Sequence, residues 1–349
     1  MNKRIFVTGA SGMVGWHVVK HLAGRGYDVV AGVRASSKVD GLRALGSKVT
    51  LTTAELHDSE ALTRGMQGCS AVVHCAGSVD PHGKREDIMN TNVGGTKNAL
   101  EAAIASGVGQ FIHISSLSVI TGQEDQYKVN ETATLRYCGE SYADSKVDAE
   151  KAVQARSSGI NTTILRPGFI YGPGERAWMP PLLNSLCQGK VMLVDGGTKE
   201  TNVIYVENLC RAVELSLFNP AAYGQVYNLT DGATPSKKEL FDAMCEGMDF
   251  PRVTKKIPGV VARTVCNAVS TVAPLLPPSI LKKVSRFSRA AFRLVGVNQG
   301  FDVSKAEREL GYTDRIPFRT GMAETLKSFR GPPQTASSAA NRVGSTGSV

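Results

Sequence analysis

A short apolar run, Ile5-Phe6-Val7-Thr8, stops at a glycine-rich turn, Gly9-Ala10-Ser11-Gly12-Met13-Val14-Gly15, and the chain then enters a helical pattern carrying Trp16, Val19 and Leu22. Glycines at this spacing between a strand and a helix have a narrow use. They let backbone amides close on a negatively charged group at the helix N-terminus, where the helix dipole also favours it. A second strand follows at Asp28–Val33. Strand, glycine turn, helix and strand in that order predict a dinucleotide-binding α/β unit, with Gly9, Ser11, Gly12, Met13, Val14 and Gly15 around the pyrophosphate.

The end of the second strand sets which dinucleotide fits. An acidic residue there accepts hydrogen bonds from a ribose 2′-hydroxyl, whereas an arginine accommodates a 2′-phosphate. Residues 29–39 contain no Asp or Glu but do contain Arg34, Ser36 and Lys38. NADP(H) is therefore preferred, with Arg34 as main contact and Ser36 or Lys38 assisting. NAD(H) is the alternative if Arg34 only stacks on adenine.

Two further strand and helix units extend the pattern. Val49-Thr50-Leu51 leads to Glu55-Leu56-His57-Asp58, and Ala71-Val72-Val73-His74-Cys75-Ala76-Gly77 reads as a buried parallel strand ending in small residues. Small side chains at Cys75, Ala76 and Gly77 let a cofactor lie against the strand end. Glu55, Leu56 and Asn92, the last in a segment that opens the next helix, complete the contacts expected from this half. Phe111-Ile112-His113-Ile114-Ser115-Ser116 is the following strand, and Ser116 sits where its C-terminal end should face the crevice. Only one of two adjacent strand residues can face that way, which selects Ser116 over Ser115. His74 and His113 lie inside apolar strands and are read as packed core.

Tyr142 and Lys146 stand four residues apart in a stretch without a helix breaker, so a helix stacks both side chains on one face. A phenol with a pKa of about 10 is a poor acid or base at neutral pH. A lysine one turn away favours the phenolate and brings the group toward useful proton transfer.

Seven cysteines, an odd number without CxxC spacing, point to a reduced, cytoplasmic chain with no zinc site and no disulfide framework. The net charge of +9 is concentrated: residues 251–300 carry nine Lys and Arg and no Asp or Glu, and the rest of the chain balances. A solvated basic face is one reading. Peripheral contact with an anionic membrane surface, or attraction of an acidic substrate, is the other. Nucleic acid is disfavoured because prolines interrupt the segment and few aromatics are present to stack on bases.

These motifs, together with Asn92-Val93-Gly94-Gly95-Thr96 and Leu165-Arg166-Pro167-Gly168-Phe169-Ile170-Tyr171-Gly172-Pro173-Gly174, occur in the order and spacing of the extended short-chain dehydrogenase/reductases, and the chain resembles that family over residues 3–330. The resemblance implies that Tyr142 gives or takes the proton at the substrate oxygen. Lys146 would bond the nicotinamide ribose and lower the tyrosine pKa, and Ser116 would orient the same oxygen. Pro167, Gly168 and Ile170 match the segment that passes the nicotinamide. In the reductive direction hydride reaches a carbonyl carbon as Tyr142 protonates the oxygen. The family's dehydratases carry an acidic pair after the active-site hydroxyl, where this chain has Leu117-Ser118. Its epimerases carry an acid at the end of the second strand, where this chain has Val33-Arg34.

The expected architecture is α/β, a doubly wound parallel Rossmann sheet with a smaller C-terminal α+β substrate lobe. Residues 1–178 and 203–230 form the dinucleotide domain, residues 179–202 and 231–330 the lobe, and residues 331–349 a disordered tail rich in Ser, Ala, Gly and Pro. In the lobe, Ser236 and Glu239 fit a capping box. Val261, Val265, Val269 and Val272 form an apolar stripe ended by Pro274, Pro277 and Pro278. A second basic amphipathic helix is expected over residues 280–294, with Leu281, Val284, Phe287, Ala291 and Leu294 on one side. The resemblance is greatest to 3β-hydroxysteroid dehydrogenase-like reductases, then to dihydroflavonol reductases. It implies an NADP(H)-dependent reductase of a hydrophobic ketone, or the reverse dehydrogenase, and is compatible with a homodimer. An NAD-dependent sugar-nucleotide epimerase and a dinucleotide-sensing protein without turnover are the alternatives.

Overall fold

The computed structural model describes residues 3–80, 83–122, 124–156, 159–272, 277 and 289–330. The expected tail, and most of the helix expected over residues 280–294, lie outside the described residues.

Buried apolar runs and the helices between them build the first half in simple alternation. The elements are β1 (Arg4–Thr8), α1 (Met13–Gly24), β2 (Asp28–Val33), α2 (Asp40–Arg43), β3 (Val49–Thr53), α3 (Ser59–Met66), β4 (Ala71–His74), α4 (Arg85–Met89), α5 (Gly95–Ala105) and β5 (Gln110–Ile114). A π-helical turn, Asn90–Gly94, joins α4 to α5. Then come β6 (Gln126–Val129), α6 (Ser141–Ala155), β7 (Asn161–Pro167), β8 (Phe169–Tyr171), α7 (Met179–Cys187), β9 (Leu193–Val194), β10 (Val203–Tyr205), α8 (Val206–Ser216) and β11 (Gln225–Leu229). The remainder is α9 (Lys237–Met248), β12 (Lys256–Ile257), α10 (Gly259–Val272), α11 (Arg289–Gly296), β13 (Gln299–Phe301), α12 (Ser304–Leu310) and α13 (Phe318–Arg330).

Seven strands form one sheet in the order β11-β7-β5-β4-β1-β2-β3, and every neighbouring pair is parallel. The chain runs outward from β1 through β2 to β3, then returns to β4 on the other side of β1. That reversal opens a crevice beyond the C-terminal ends of β1 and β4, where open α/β sheets bind ligands. Side-chain alternation sends Ile5, Val7, Val73, Ile112 and Leu165 to one face, against α1 and α8. Phe6, Val30, Val72, Phe111 and Ile164 go to the other, against α3, α5 and α6. With both faces covered, the central strands are apolar on both sides, and the edge strand β3 keeps a polar side, its threonines.

A separate apolar cluster holds the later elements together, with Tyr171, Met179, Leu183, Tyr205, Leu240, Phe241, Met244, Met322 and Leu326 at its centre. The capping box of α9 is present, Ser236 and Glu239 each bonding the other's backbone. Of three parallel two-stranded pairs, β9 with β12 lies within this part, while β8 with β10 and β6 with β13 join it to the loops after the main sheet's strands. On α10 the expected valine stripe is not the packed face. Ala262 and Cys266 are buried, while Val260, Val261, Val265 and Val272 are exposed. A helix paired closely to its neighbour favours its small residues at the contact, and the larger valines are left outside.

Candidate active site

The turn after β1 is shaped by its glycines. Gly9 has φ +65, and a Cβ there would lie 2.7 Å from the Ala76 Cα; a Cβ on Gly15 would lie 2.2 Å from the Gly9 carbonyl oxygen. No larger residue fits either position without moving backbone. Gly12 begins α1 with neither a capping side chain nor an acid in the first turn, so the helix N-terminus is left for an anion. Met13 and Val14 are half-buried in that first turn. This is a cradle that a Cβ would fill and an uncapped positive helix end, and it fits a dinucleotide pyrophosphate.

Around the turn, exposed Ser11 donates from Oγ to the Ser37 hydroxyl at 3.0 Å, and Ser37 Oγ accepts from the Arg34 backbone N–H at 3.2 Å. Arg34, Ser36 and Lys38 are exposed. Ser37 joins Arg34 to the glycine turn through these two bonds, and Ser36 and Lys38, expected to assist Arg34 at a 2′-phosphate, stand exposed on either side of it. Two adjacent serines gave no local reason to choose. An acid also reaches this turn from the loop after β3: Glu55 Oε1 accepts from the Ala35 N–H at 3.4 Å. Reading residues 29–39 alone could not show it. Leu56 packs against Gly95, where a Cβ would lie 2.6 Å from Leu56 Cδ1.

On the other side of the crevice, α6 brings Tyr142 and Lys146 to one face. The Ser116 hydroxyl faces the Tyr142 phenol and favours its ionised form. Its Oγ also accepts from the Ser118 N–H at 3.1 Å. Ser115 is turned the other way, donating to buried Glu150 at 2.6 Å, and Glu150 is itself paired with buried Arg166. Lys146 is buried, and its Nζ donates to the Ile114 carbonyl at 2.8 Å. Burial lowers its pKa to about 8, against the opposing pull of Cys75 and Glu150. Burial raises the Tyr142 phenol above its ordinary value and Ser116 opposes that. The expected lowering by Lys146 is not seen at Tyr142, where desolvation is the largest influence and Ser116 the opposing one.

Asn92 is spent on the protein. Its Nδ2 donates to the Ser78 carbonyl at 3.0 Å and to Ser145 Oγ at 2.8 Å, and its Oδ1 accepts from the Ser78 N–H at 2.6 Å. It thereby fixes the exit of β4 against α6. Beside it, a Cβ on Gly77 would stand 3.2 Å from Asn92 Oδ1 and 3.6 Å from Lys146 Nζ. Cys75 is half-buried, and burial pushes its thiol up to about 12, which keeps it neutral. Ala76 donates its N–H to Thr8 Oγ1 at 3.2 Å. Thr8 in turn meets His74 Nδ1 at 2.9 Å, His74 Nε2 meets Thr96 Oγ1 at 3.0 Å, and Thr96 donates to the Asn92 carbonyl at 2.6 Å. Because Thr96 donates onward, the His74 proton belongs on Nε2. Burial lowers His74 to about 3, so it is a neutral structural link. Sequence reading found neither this chain nor Ser78 and Ser145.

Pro167 is buried at the end of β7. At Gly168 a Cβ would lie 2.1 Å from the Asn202 carbonyl oxygen, and the Gly168 N–H donates to the Leu229 carbonyl at 3.0 Å. Ile170 is half-buried, its carbonyl accepting from Trp178 Nε1 at 2.9 Å. The glycine turn, the ends of β4 and β5, the Tyr142 face of α6 and the segment after β7 thus converge on one crevice.

The profile of the NAD dependent epimerase/dehydratase family matches residues 5–230. A ketoreductase from Stigmatella aurantiaca, named for 4-hydroxy-2-methyl-3-oxo-4-farnesyl-3,4-dihydroquinoline-1-oxide, is 30% identical over 91% of this chain and 94% of its own. A 2-alkyl-3-oxoalkanoate reductase from Shewanella oneidensis is 29% identical over 91% and 84%. A 3beta-hydroxysteroid-dehydrogenase/decarboxylase from Arabidopsis thaliana is 28% identical over 93% and 79%. Among solved structures, the dTDP-glucose 4,6-dehydratase DesIV of Streptomyces venezuelae with NAD bound has a TM-score of 0.74 at 22% identity, over 94% of this chain and 97% of that one. That likeness is one of fold. A family match over most of the chain and relatives named as reductases and dehydrogenases lead to one conclusion: the chain belongs to the NAD dependent epimerase/dehydratase family, the extended short-chain dehydrogenase/reductases, and is an oxidoreductase of that family.

Proposed function

We propose that this enzyme interconverts a hydrophobic ketone and its secondary alcohol, with NADP(H) as preferred cofactor. The observation that carries the reading is Tyr142 one helical turn from buried Lys146 on α6, with the Ser116 hydroxyl facing the phenol, across the crevice from the uncapped glycine turn. The nicotinamide supplies or takes the hydride when the cofactor is bound. Gly9, Ser11, Gly12, Met13, Val14 and Gly15 would hold its pyrophosphate, Arg34 and Lys38 its adenosine end, and Cys75, Ala76, Gly77, Pro167, Gly168 and Ile170 would shape the wall beside the ring. Tyr142 passes a proton to the substrate oxygen during reduction, Ser116 holds that oxygen by a hydrogen bond, and Lys146 keeps positive charge near the phenol as it loses its proton. Asn92 acts at one remove, by holding Ser145 and Ser78.

Three things favour a hydrophobic substrate. The relatives named above are reductases and dehydrogenases of alkyl, farnesylated and steroidal compounds. Leu117-Ser118 offers no acid for dehydration. The second lobe, residues 179–202 and 231–330, is built around apolar side chains. The exposed valines of α10, in a stretch of sequence with exposed Arg252, Lys255, Lys256 and Arg263, support peripheral contact with anionic lipid. Among the described residues no helix is long and apolar enough to cross a membrane. A cytoplasmic location and a homodimer belong to the same proposal. Glu55 at the β2 turn is the observation favouring NAD and, with it, the epimerase reading.

The test is net loss of NADPH by the purified protein against steroidal and long-chain 2-alkyl-3-keto substrates, with sugar nucleotides alongside. Reduction spends cofactor in step with product. Conversion of a sugar nucleotide to its epimer without net NADPH loss would overturn the reading.

A further inference from the structure

The helix that carries Tyr142 starts without a side-chain cap of its own. Glu140 occupies the capping position with no cap hydrogen bond. The loop before it is instead held from both sides. From within α6, Asp144 Oδ1 reaches back to accept the Cys138 N–H at 2.9 Å and the Gly139 N–H at 3.2 Å, and Arg85 on α4 donates to Asp144 Oδ2 at 3.0 Å. From the second lobe, Arg293 on α11 pairs with the Glu140 carboxylate and donates from Nη1 to Cys138 Sγ at 3.2 Å. Arg293 is buried and stands 153 residues from its partner along the chain.

Two carboxylates, Glu140 and Asp144, thus share the start of α6 with two guanidinium groups, Arg85 and Arg293. Without Arg293 the Glu140 charge would be half-buried beside Asp144 with no cation on its own side, and like charges at that distance repel. The far end of α11 is also fixed, since Lys199 Nζ donates to the Gly296 carbonyl at 2.9 Å while paired with Asp125 at the same distance. The clamp therefore joins two anchored bodies, the second lobe and the first turn of α6.

We propose that Arg293 is a positioning residue: through Glu140 and Cys138 it holds the second lobe against the first turn of α6 and so sets Tyr142 relative to a substrate bound between them. This rests on Tyr142 being the proton donor. Misplacement of a reacting group by about 1 Å costs up to about a hundredfold in rate.

The experiment compares Arg293→Ala, Glu140→Ala, the double variant and Arg293→Lys in the full chain. Two readouts are taken: NADPH oxidation with a long-chain 2-alkyl-3-keto acid, and the rate of iodoacetamide labelling of Cys138, followed peptide by peptide with exposed Cys187 as internal control. Each single Ala variant is expected to lower kcat about tenfold or more, to change KM for NADPH less than about twofold, and to speed Cys138 labelling about tenfold with Cys187 unchanged. The double variant should be no worse than either single one, because both remove one interaction. Arg293→Lys, which keeps the charge but not the fork, should recover part of kcat. Additive losses, or a kcat that does not move, overturn the positioning role. Unchanged Cys138 labelling overturns the clamp itself, and that readout decides even if no ketone is reduced by the parent, a result that would instead fall on the proposed function. Should the Ala variants fail to fold, Arg293→Lys and Glu140→Gln carry the same two readouts.

Discussion

At Tyr142 one oxygen separates the native side chain from phenylalanine, and that oxygen faces Ser116 while burial holds its proton on. Tyr142→Phe is expected to lower turnover by about 10²–10⁴-fold, to cost about 1 kcal/mol of stability and to leave NADPH affinity within about twofold. Steady-state rates and a fluorescence titration of NADPH check this, and unchanged turnover would take Tyr142 out of the mechanism. At the other end of the crevice, Arg34→Ala should weaken NADPH by about tenfold or more and NADH much less, since only the former carries a 2′-phosphate to lose. Equal losses in parallel titrations would mean that Arg34 serves only as a stacking surface. The legible residues at this scale were those fixed by period or by steric need. Strand alternation separated Ser116 from Ser115, which the structure turns to Glu150. Glycine spacing announced the Gly9 and Gly15 contacts. Ser37 was not legible, because it is one of two adjacent serines, and neither was the bond that Glu55, itself expected beside the cofactor, accepts from the Ala35 N–H, because that bond joins loops distant in sequence.

At the scale of elements, α10 shows what periodicity leaves open. Valines at 261, 265, 269 and 272 define a face, but the sequence does not say whether that face meets protein or solvent. Ala262 and Cys266 took the packing side, leaving Val260 at 79% and Val261 at 48% exposure. The result is a set of exposed valines in a segment that also carries Arg252, Lys255, Lys256 and Arg263 and no acids. Sedimentation with phosphatidylglycerol vesicles should carry the protein down at about 20 mM salt and release most of it at about 500 mM, where the Debye length falls below about 5 Å. Val260→Asp with Val261→Asp should lower the bound fraction at low salt. An unbound parent at low salt would remove the membrane reading. Local devices were easier to read: the Ser236 and Glu239 box needs only a three-residue spacing, and it is formed.

At the scale of the whole molecule, the order of the main sheet follows from alternating strands and helices, since right-handed parallel crossovers leave few arrangements. The long-range polar joints between its parts had no such rule behind them. Lys237 is one: 2% exposed at the first turn of α9, it donates from Nζ to Gln299 Oε1 on β13 at 2.8 Å. Desolvation, with a smaller push from Lys199, lowers its pKa to about 7. An unfolded lysine titrates near 10.4. Above pH 7 the unfolded chain therefore holds a proton that the folded chain has released, and stability rises with pH through that window; below it both states are protonated and the burial penalty is fully present. Lys146, lowered to about 8, adds to the rise from pH 8 upward. Urea unfolding at pH 6.5, 7.5 and 8.5, below most ionisation of unfolded phenols, reads the slope, to which Lys237 adds at most about 1.4 kcal/mol per pH unit while the thiols that burial raises in the folded chain pull the other way toward pH 8.5. Lys237→Met leaves Gln299 without its donor and shifts the absolute stability, but the slope is the informative quantity, because histidine and thiol terms are common to both proteins. A shallower rise in the variant is expected. Parallel curves would mean that Lys237 keeps its proton throughout, and that its joint to Gln299 is an ammonium bond strong enough to offset the burial.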